Sequence, residues 1–415
     1  QRIVLSNLIN SESKILFNRN PRERVAKVAP WLTIDGDPYP AIIDGKILWI
    51  IDGYTTSAGY PNSRVVNLAN TGDALTSRSN AVSSLDDRNV NYIRNSVKAT
   101  VDAYDGTVSL YHWDDNDPVL STWSKAFPGS VKPRSEISAD LLAHVRYPED
   151  MFRVQRDILS AYHVTTADAF YGGQDFWRVP LDPSSFGANS ANQPPYYLTM
   201  QIPGQSKPTF SLYTPFVPRG GRENLTALAV VNSDAGDEYG KITVLQLPRS
   251  TNIAGPSQVS SNFEAKPEVA TSLSLLRQGG SDVVLGNLLT LPVGKGLLYV
   301  QPVYVRATGN TAAYPLLQKV LVSFGDQIGF SETLQGALDQ VFGGNSGTTV
   351  SDNQQSTSTP GGAGTSQAIR AAISSLQSAY ADLEAAQKRL DGAAEDRARA
   401  RVKAAIAALV SAQNR

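Results

Sequence analysis

The sequence predicts an α+β protein, rich in antiparallel sheet with packed helices, followed by a linker and a helical hairpin. Three observations carry this expectation. Short runs of β-forming residues are separated by Gly, Pro, Asn and Asp, two Asp-Gly pairs stand where hairpins should turn, and no regular strand–helix alternation appears. After residue 342 the composition changes abruptly, first to Gly, Ser and Thr, then to Ala, Arg, Glu and Leu.

From residue 11 the chain reads "SESKILFNRNPRERVAKVAPWL", where Ile15, Leu16, Val25 and Val28 among basic residues predict one or two amphipathic helices. The densest apolar stretch follows, "YPAIIDGKILWIIDGYTTS" at residues 39–57. Its runs Ala41–Ile43 and Ile47–Ile51 are far shorter than the roughly 20 residues a membrane helix needs. Asp44-Gly45 suits a two-residue turn in which both central residues have positive φ. Consecutive apolar positions, rather than alternating ones, predict a hairpin covered on both faces, with Trp49 in the core. In "NYIRNSVKATVDAYDGTVSLYHW", Val97, Ala99, Val101 and Ala103 alternate with polar residues before Asp105-Gly106, which predicts a second hairpin with the same turn chemistry.

Residues 1–180 thus read as a mixed part and residues 181–342 as a β-rich part. The latter holds "YYLTMQI", "TFSLYTPFV", "LTALAVVNS", "YGKITVLQLP", "NLLTLPV" and "GLLYVQPVYV" as strands, and closes with a helix at "SETLQGALDQVF" capped by Ser331. Residues 343–366 have almost no apolar side chains and read as a flexible linker. In residues 367–415, Ile369, Ile373, Leu376, Tyr380 and Leu383 form a narrow helical stripe. Asp391-Gly392 interrupts it, and Val402, Ile406 and Leu409 restart it. A hairpin turning near Gly392 is expected, with one long helix carrying a stutter as the alternative. Such a stripe must be buried against its own mate, the main body or a partner protein.

Composition narrows the function. A net charge of −1 provides no general pull toward nucleic acid or an acidic membrane. Cysteine is absent, which excludes disulfides, thiolate metal sites and a cysteine nucleophile, and is compatible with an oxidising envelope. The opening at Gln1, in mid-pattern, is expected of a piece excised from something longer.

Candidate chemistry is sparse. His112, His144 and His163 lack zinc-binding spacing, and no nucleophile elbow surrounds a serine such as Ser57. In "HWDDNDP", Asp114, Asp115 and Asp117 offer clustered oxygens that suit a hard cation such as Ca²⁺, although no EF-hand pattern follows and the same residues are ordinary turn formers. In "VPRGGREN", Arg219 and Arg222 flank two glycines, as an anion site would, or as a solvated turn would. Trp31, Trp49, Tyr54, Tyr60, Trp113, Trp123 and Trp177 can line a groove or fill the core.

Several stretches resemble the uncharacterised protein family 0182. They include "ILFNRNPRERVAKVAPWLTIDGDPYPAIIDGKILWIIDGYTTSAGYP", "WSKAFPG", "HVRYPEDMFRVQ", "PFVPRGGRENLTALAVVNSD" and "RQGGSDVVLGNLLTLPV", and together they reach from residue 1 to about residue 342. The resemblance implies large actinobacterial membrane proteins, with several N-terminal transmembrane helices that this chain lacks and a large domain on the extracytoplasmic side of the cell membrane. It carries no catalytic residue across, and residues 68–88 depart from the family pattern as a variable loop. The expectation is therefore a scaffold, assembly or regulatory module rather than an enzyme, with no cofactor beyond the Ca²⁺ just raised. Its partners would be other envelope or membrane proteins, met through the C-terminal helices. The alternative is an envelope hydrolase acting on glycan, lipid or peptide.

Overall fold

The computed structural model describes residues 18–71, 87–185, 191–248, 252–278, 280–294, 296–308 and 314–344, together with a few isolated positions. Contacts divide the chain into residues 1–348 and 349–415. The linker predicted at 343–366 lies outside the described residues except for Gly343 and Gly344, and so does nearly all of the predicted helical hairpin.

The first unit is an α+β body of antiparallel sheets. Helix α1 (Pro21–Val28) is capped by Asn20, starts on a proline and buries Val25. It leads to β1 (Thr33–Ile34), β2 (Tyr39–Ile43) and β3 (Lys46–Ser57), then to the short β4 (Val66–Asn67), α2 (Leu68–Thr71) and β5 (Asn89–Val90). Strands β6 (Tyr92–Asp102) and β7 (Val108–His112) complete the first sheet, in the order β1-β3-β6-β7 with β2 also on β3. Helices α3 (Pro118–Ala126), α4 (Ala139–Ala143), α5 (Glu149–Tyr162) and α6 (Ala167–Gly172) follow.

A second sheet is built from β8 (Trp177–Arg178), β9 (Tyr196–Met200), β10 (Thr209–Pro218), β11 (Ala227–Asn232) and β12 (Ile242–Gln246). Helices α7 (Pro256–Ala265) and α8 (Pro267–Leu276) separate it from a third sheet. That sheet comprises β13 (Ser281–Leu285), β14 (Leu289–Val293), β15 (Gly296–Ala307), β16 (Leu316–Phe324) and β17 (Gln327–Ser331), and α9 (Leu334–Phe342) packs on it.

The three sheets share one connectivity. In each, a first short strand pairs with the far half of a long strand, as Thr33 with Tyr54, Trp177 with Pro218, and Val283 with Val305. A second short strand forms a hairpin with the near half of the same long strand. Two more strands then add antiparallel on the other side, and a helix follows: α3, α7 or α9. The body is thus a threefold structural repeat. Its hairpin loops differ widely, a two-residue Asp44-Gly45 turn in the first sheet against residues 201–208 in the second, which hides the repeat in the sequence.

Several expectations need correction. The first hairpin is covered on both faces only at its base: Ile50 and Ile51 are buried, but Ile42 is 68% exposed and its cross-strand partner Ile47 is also exposed. Trp49 is half-buried against the core rather than inside it. The turn itself is as expected, with Asp44 at φ 49° and Gly45 at φ 76°. At the second hairpin only Gly106 has positive φ, because the loop is longer: the Asp102 carboxylate accepts from the amide of Tyr104 at 2.7 Å, and the Gly106 amide bonds to the Asp102 carbonyl at 2.9 Å. Helix α9 is capped by Thr333, not Ser331, because β17 runs on through Ser331. Gly329 lets that helix close on the sheet, since a Cβ there would stand 2.0 Å from the Ala337 carbonyl oxygen. The division at residue 180 falls inside the second sheet, after β8 and before its partner β10.

Apolar clusters join these layers. Val25, Ile51, Val97 and Leu120 unite α1 and α3 with the first sheet. Tyr54, Met151, Phe152, Phe216 and Ala229 bring the first sheet, α5 and the second sheet together. No helix among the described residues is long and apolar enough to cross a membrane.

Candidate functional site

Helix α5 organises two polar centres, because its faces differ. Glu149 and Asp150 lie in its first turn, where carboxylates favour the helix dipole. Met151, Phe152 and Val154 are buried, and so are the charged Asp150, Arg153 and Arg156.

The first centre lies between α5 and the first sheet. Lys98, 2% exposed, donates to the carboxylate of Asp52 and, at 2.8 Å, to the Tyr239 hydroxyl. Its ammonium also sits 5.0 Å from the ring centre of Trp113. Asn95 donates to the same Asp52 oxygen at 2.8 Å. Nearby, the Tyr54 hydroxyl donates to Asp35, and the Gly36 amide donates to Asp150 at 2.9 Å. Burial drives the Asp35 carboxyl well above its ordinary range, helped by the charges of Asp150 and Asp52 and opposed by the Tyr54 hydrogen bond. Burial likewise raises Asp150, against the Gly36 amide, and lowers Lys98, against its carboxylate partner. This network ties the second sheet to the first through Tyr239.

The second centre is a cleft of about 1010 Å³ beside α5 and β8. Its polar wall is built from Arg64, Arg153, Arg156, Arg178 and Arg219, against the acidic Asp157 and Glu223. Arg156 is buried and donates to the Gln193 carbonyl at 2.9 Å and the Thr214 hydroxyl at 3.1 Å. Arg153 pairs with Glu149 one helical turn away, and Arg178 pairs with Glu223. The Arg219 amide donates to the Phe176 carbonyl at 2.8 Å, which fixes the loop to β8, and its guanidinium lies 5.9 Å over the Phe176 ring. Trp177 forms part of the wall at 4% exposure, stacked on His163, and its indole N–H has no hydrogen-bond partner among the described residues. Tyr162, Phe170 and Tyr171 rim the opening as exposed aromatics.

The residues singled out from sequence fall in separate places. Arg219 lines this cleft, whereas Arg222 faces a shallower hollow with Asn252, Ser257 and Ser261. Asp114 pairs with Arg94 at 2.8 Å, and Asp115 is exposed, 3.8 Å from His112. Asp117 is buried as the N-cap of α3, where its carboxylate receives Thr55, Ser96, Tyr92 and the amides of Val119 and Leu120. No group of three or more His, Asp or Glu side chains among the described residues is arranged to hold a metal ion. Ile369, Ile373, Leu376, Tyr380 and Leu383 lie outside the described residues. The sequence reading missed Arg153 and Arg156. Their spacing of three on an amphipathic helix was the available signal, but an arginine on a helix ordinarily faces solvent.

A model of the Uncharacterised protein family (UPF0182) matches residues 1–276, which cover the first two sheets and both helices after them. The chain belongs to the UPF0182 family. A UPF0182 protein of Leifsonia xyli subsp. xyli is 48% identical over 462 residues, covering 100% of this chain and 46% of that relative. One of Thermobifida fusca is 56% identical over 344 residues, covering 82% of this chain and 34% of the relative. One of Bifidobacterium adolescentis is 54% identical over 358 residues, covering 83% and 33%. The chain thus spans less than half the length of these UPF0182 relatives. No solved structure matches it.

Proposed function

We propose that this chain is the extracytoplasmic recognition domain of a longer membrane protein, and that it binds an anionic ligand in the arginine cleft as part of envelope assembly or regulation. The observation that carries this reading is the arginine-rich wall: Arg153 pairs with Glu149 and Arg178 with Glu223, the Arg156 guanidinium is held by the Gln193 carbonyl, and Arg64 and Arg219 complete a wall of five arginines whose acidic lining is Asp157 and Glu223. Guanidinium groups stay protonated at any physiological pH, so they hold anions but do not shuttle protons. The greater length of the relatives accords with a longer parent protein, and the absence of cysteine accords with an oxidising compartment.

Two experiments test it. Titration of the chain with inorganic phosphate should give binding that weakens as salt rises and is lost in Arg219→Ala; no binding at low salt refutes anion recognition. For location, the cysteine-free sequence is an advantage. A Ser206→Cys substitution in the full-length protein should acquire an impermeant maleimide on intact cells, and labelling only after lysis places the domain inside instead. The proposal extends to envelope proteins as partners of the C-terminal segment, which capture of the full-length protein with and without residues 366–415 examines. The hydrolase alternative draws on Asp157 and Glu223 lining one cleft, as paired carboxylates would. It requires turnover of an envelope glycan, lipid or peptide that Asp157→Asn abolishes.

A further inference from the structure

Arg64 and Tyr162, which line the arginine cleft, also line a second cavity of about 460 Å³ against a neighbouring face of α5. Its lining is mixed: the half-buried Val66, Ile93 and Ile158, over the buried Val90 and Val154, form an aliphatic strip beside Asn62, Ser63, Asn91, Tyr92 and Arg94. Helix α5 therefore presents Arg153, Arg156 and Ser160 to one cavity and Val154 and Ile158 to the other, and Tyr162 at its end belongs to both. A simple inorganic anion uses only the first cavity. A sugar or an acidic peptide would leave the half-buried strip of Val66, Ile93 and Ile158 without an apolar partner.

We propose that the paired cavities hold a phosphate-bearing amphiphile, with its phosphate among the arginines and its apolar group along Val66, Ile93 and Ile158. This rests on the anion reading above and names the ligand class for the same site. A phosphate monoester matches planar guanidinium donors: Arg219 lines the cleft from the loop after β10, and Arg178, already paired with Glu223, lines it from β8. The aromatic rim formed by Tyr162, Phe170 and Tyr171 suits a ligand that is apolar at one end and charged at the other. The apolar group can belong to a lipid or to a soluble ester, and chain length separates the two.

The test is calorimetric titration of the whole chain with four probes: inorganic phosphate, phenyl phosphate, dihexanoylphosphatidic acid and dihexanoylphosphatidylcholine. The expected order places phosphatidic acid about tenfold or more tighter than inorganic phosphate, with phosphatidylcholine weakest. Phenyl phosphate equal to phosphatidic acid supports a soluble ester; phosphatidic acid clearly tighter supports a lipid. Arg219→Ala, in an exposed loop, should weaken phosphatidic acid about tenfold. Ile158→Asn should bring phosphatidic acid down to the level of inorganic phosphate while leaving phosphate binding intact, a pattern that misfolding cannot produce. Phosphate and phosphatidic acid binding alike in the unsubstituted chain overturns the amphiphile but leaves anion recognition standing. Phosphatidylcholine binding as tightly as phosphatidic acid overturns the role of the charge. Binding of none of the four overturns both readings.

Discussion

Replacing Asp117 with alanine tests whether "HWDDNDP" is a capping hub or a cation site. The Asp117 side chain is 1% exposed and its two oxygens receive five donors. Tyr92 at 2.6 Å and the Val119 amide at 3.0 Å reach one oxygen; Thr55 and Ser96 at 2.6 Å and the Leu120 amide at 3.1 Å reach the other. Loss of the cap costs about 1 kcal/mol. Thr55 and Ser96 remain 3.1 Å apart and keep one hydrogen bond between them, so one buried hydroxyl is orphaned, at about 1–3 kcal/mol. The side-chain hole adds to this, and the sum is about 3–5 kcal/mol for Asp117→Ala. Asp117→Asn keeps an acceptor and offers an amide to the two hydroxyls, so it should cost about 1–2 kcal/mol. The pH dependence has a definite sign. Burial pushes this carboxyl up, but the Ser96, Thr55 and Tyr92 hydrogen bonds outweigh it and hold it below the ordinary value of 3.8. A lowered folded value means the stabilisation is present above that pH and is lost as pH falls through the folded value. Urea unfolding followed by near-ultraviolet circular dichroism should therefore show the Asn variant converging on the unsubstituted protein in acid. An Ala variant within about 0.5 kcal/mol of it at neutral pH refutes the hub. So does a melting point raised by about 1 mM Ca²⁺, which would make the carboxylate a ligand.

Three further outcomes are expected. Lys98→Met leaves Asp52 buried without its cation and should cost about 3–5 kcal/mol in urea unfolding, while Lys98→Met combined with Asp52→Leu should recover much of it; equal losses in the single and double variants would contradict this. Asp35→Asn should become progressively more favourable relative to the native residue as pH rises from 4 toward 7, because a carboxyl raised by burial contributes stability below 3.8 that is lost as pH climbs through the folded value. A pH-independent difference between the two proteins would show that Asp35 is not so raised. Trp49→Ala should cost only about 1–2 kcal/mol, since the ring is half-buried, and a loss as large as a fully buried tryptophan gives would return it to the core.

The strands of the second sheet were legible because they are local signals: apolar runs between Gly, Pro and Asn, such as "TFSLYTPFV", became β10, and "LTALAVVNS" became β11. Asp44-Gly45 was legible for the same reason, since positive φ at two successive residues is a demand that few dipeptides meet. Helices α7 and α8 were not anticipated. Their apolar residues are few, Val259 and Phe263 in one and Val269 and Leu273 in the other, and they become a face only when packed on the third sheet.

What the sequence determined by itself is the α+β class, the family, the lack of thiol chemistry and most strand positions, all consequences of composition and short-range spacing. The tertiary structure alone decided the rest. The threefold repeat is a pattern of pairing, and pairing leaves no fixed imprint when loops and side chains diverge. Burial separated Ile42 and Ile47 from Ile50 and Ile51 in one apolar run, because depth depends on what packs above a strand. The cleft unites Arg64, Arg156, Arg178 and Arg219 from four separate segments, and only folding brings charges so distant in the chain to one wall.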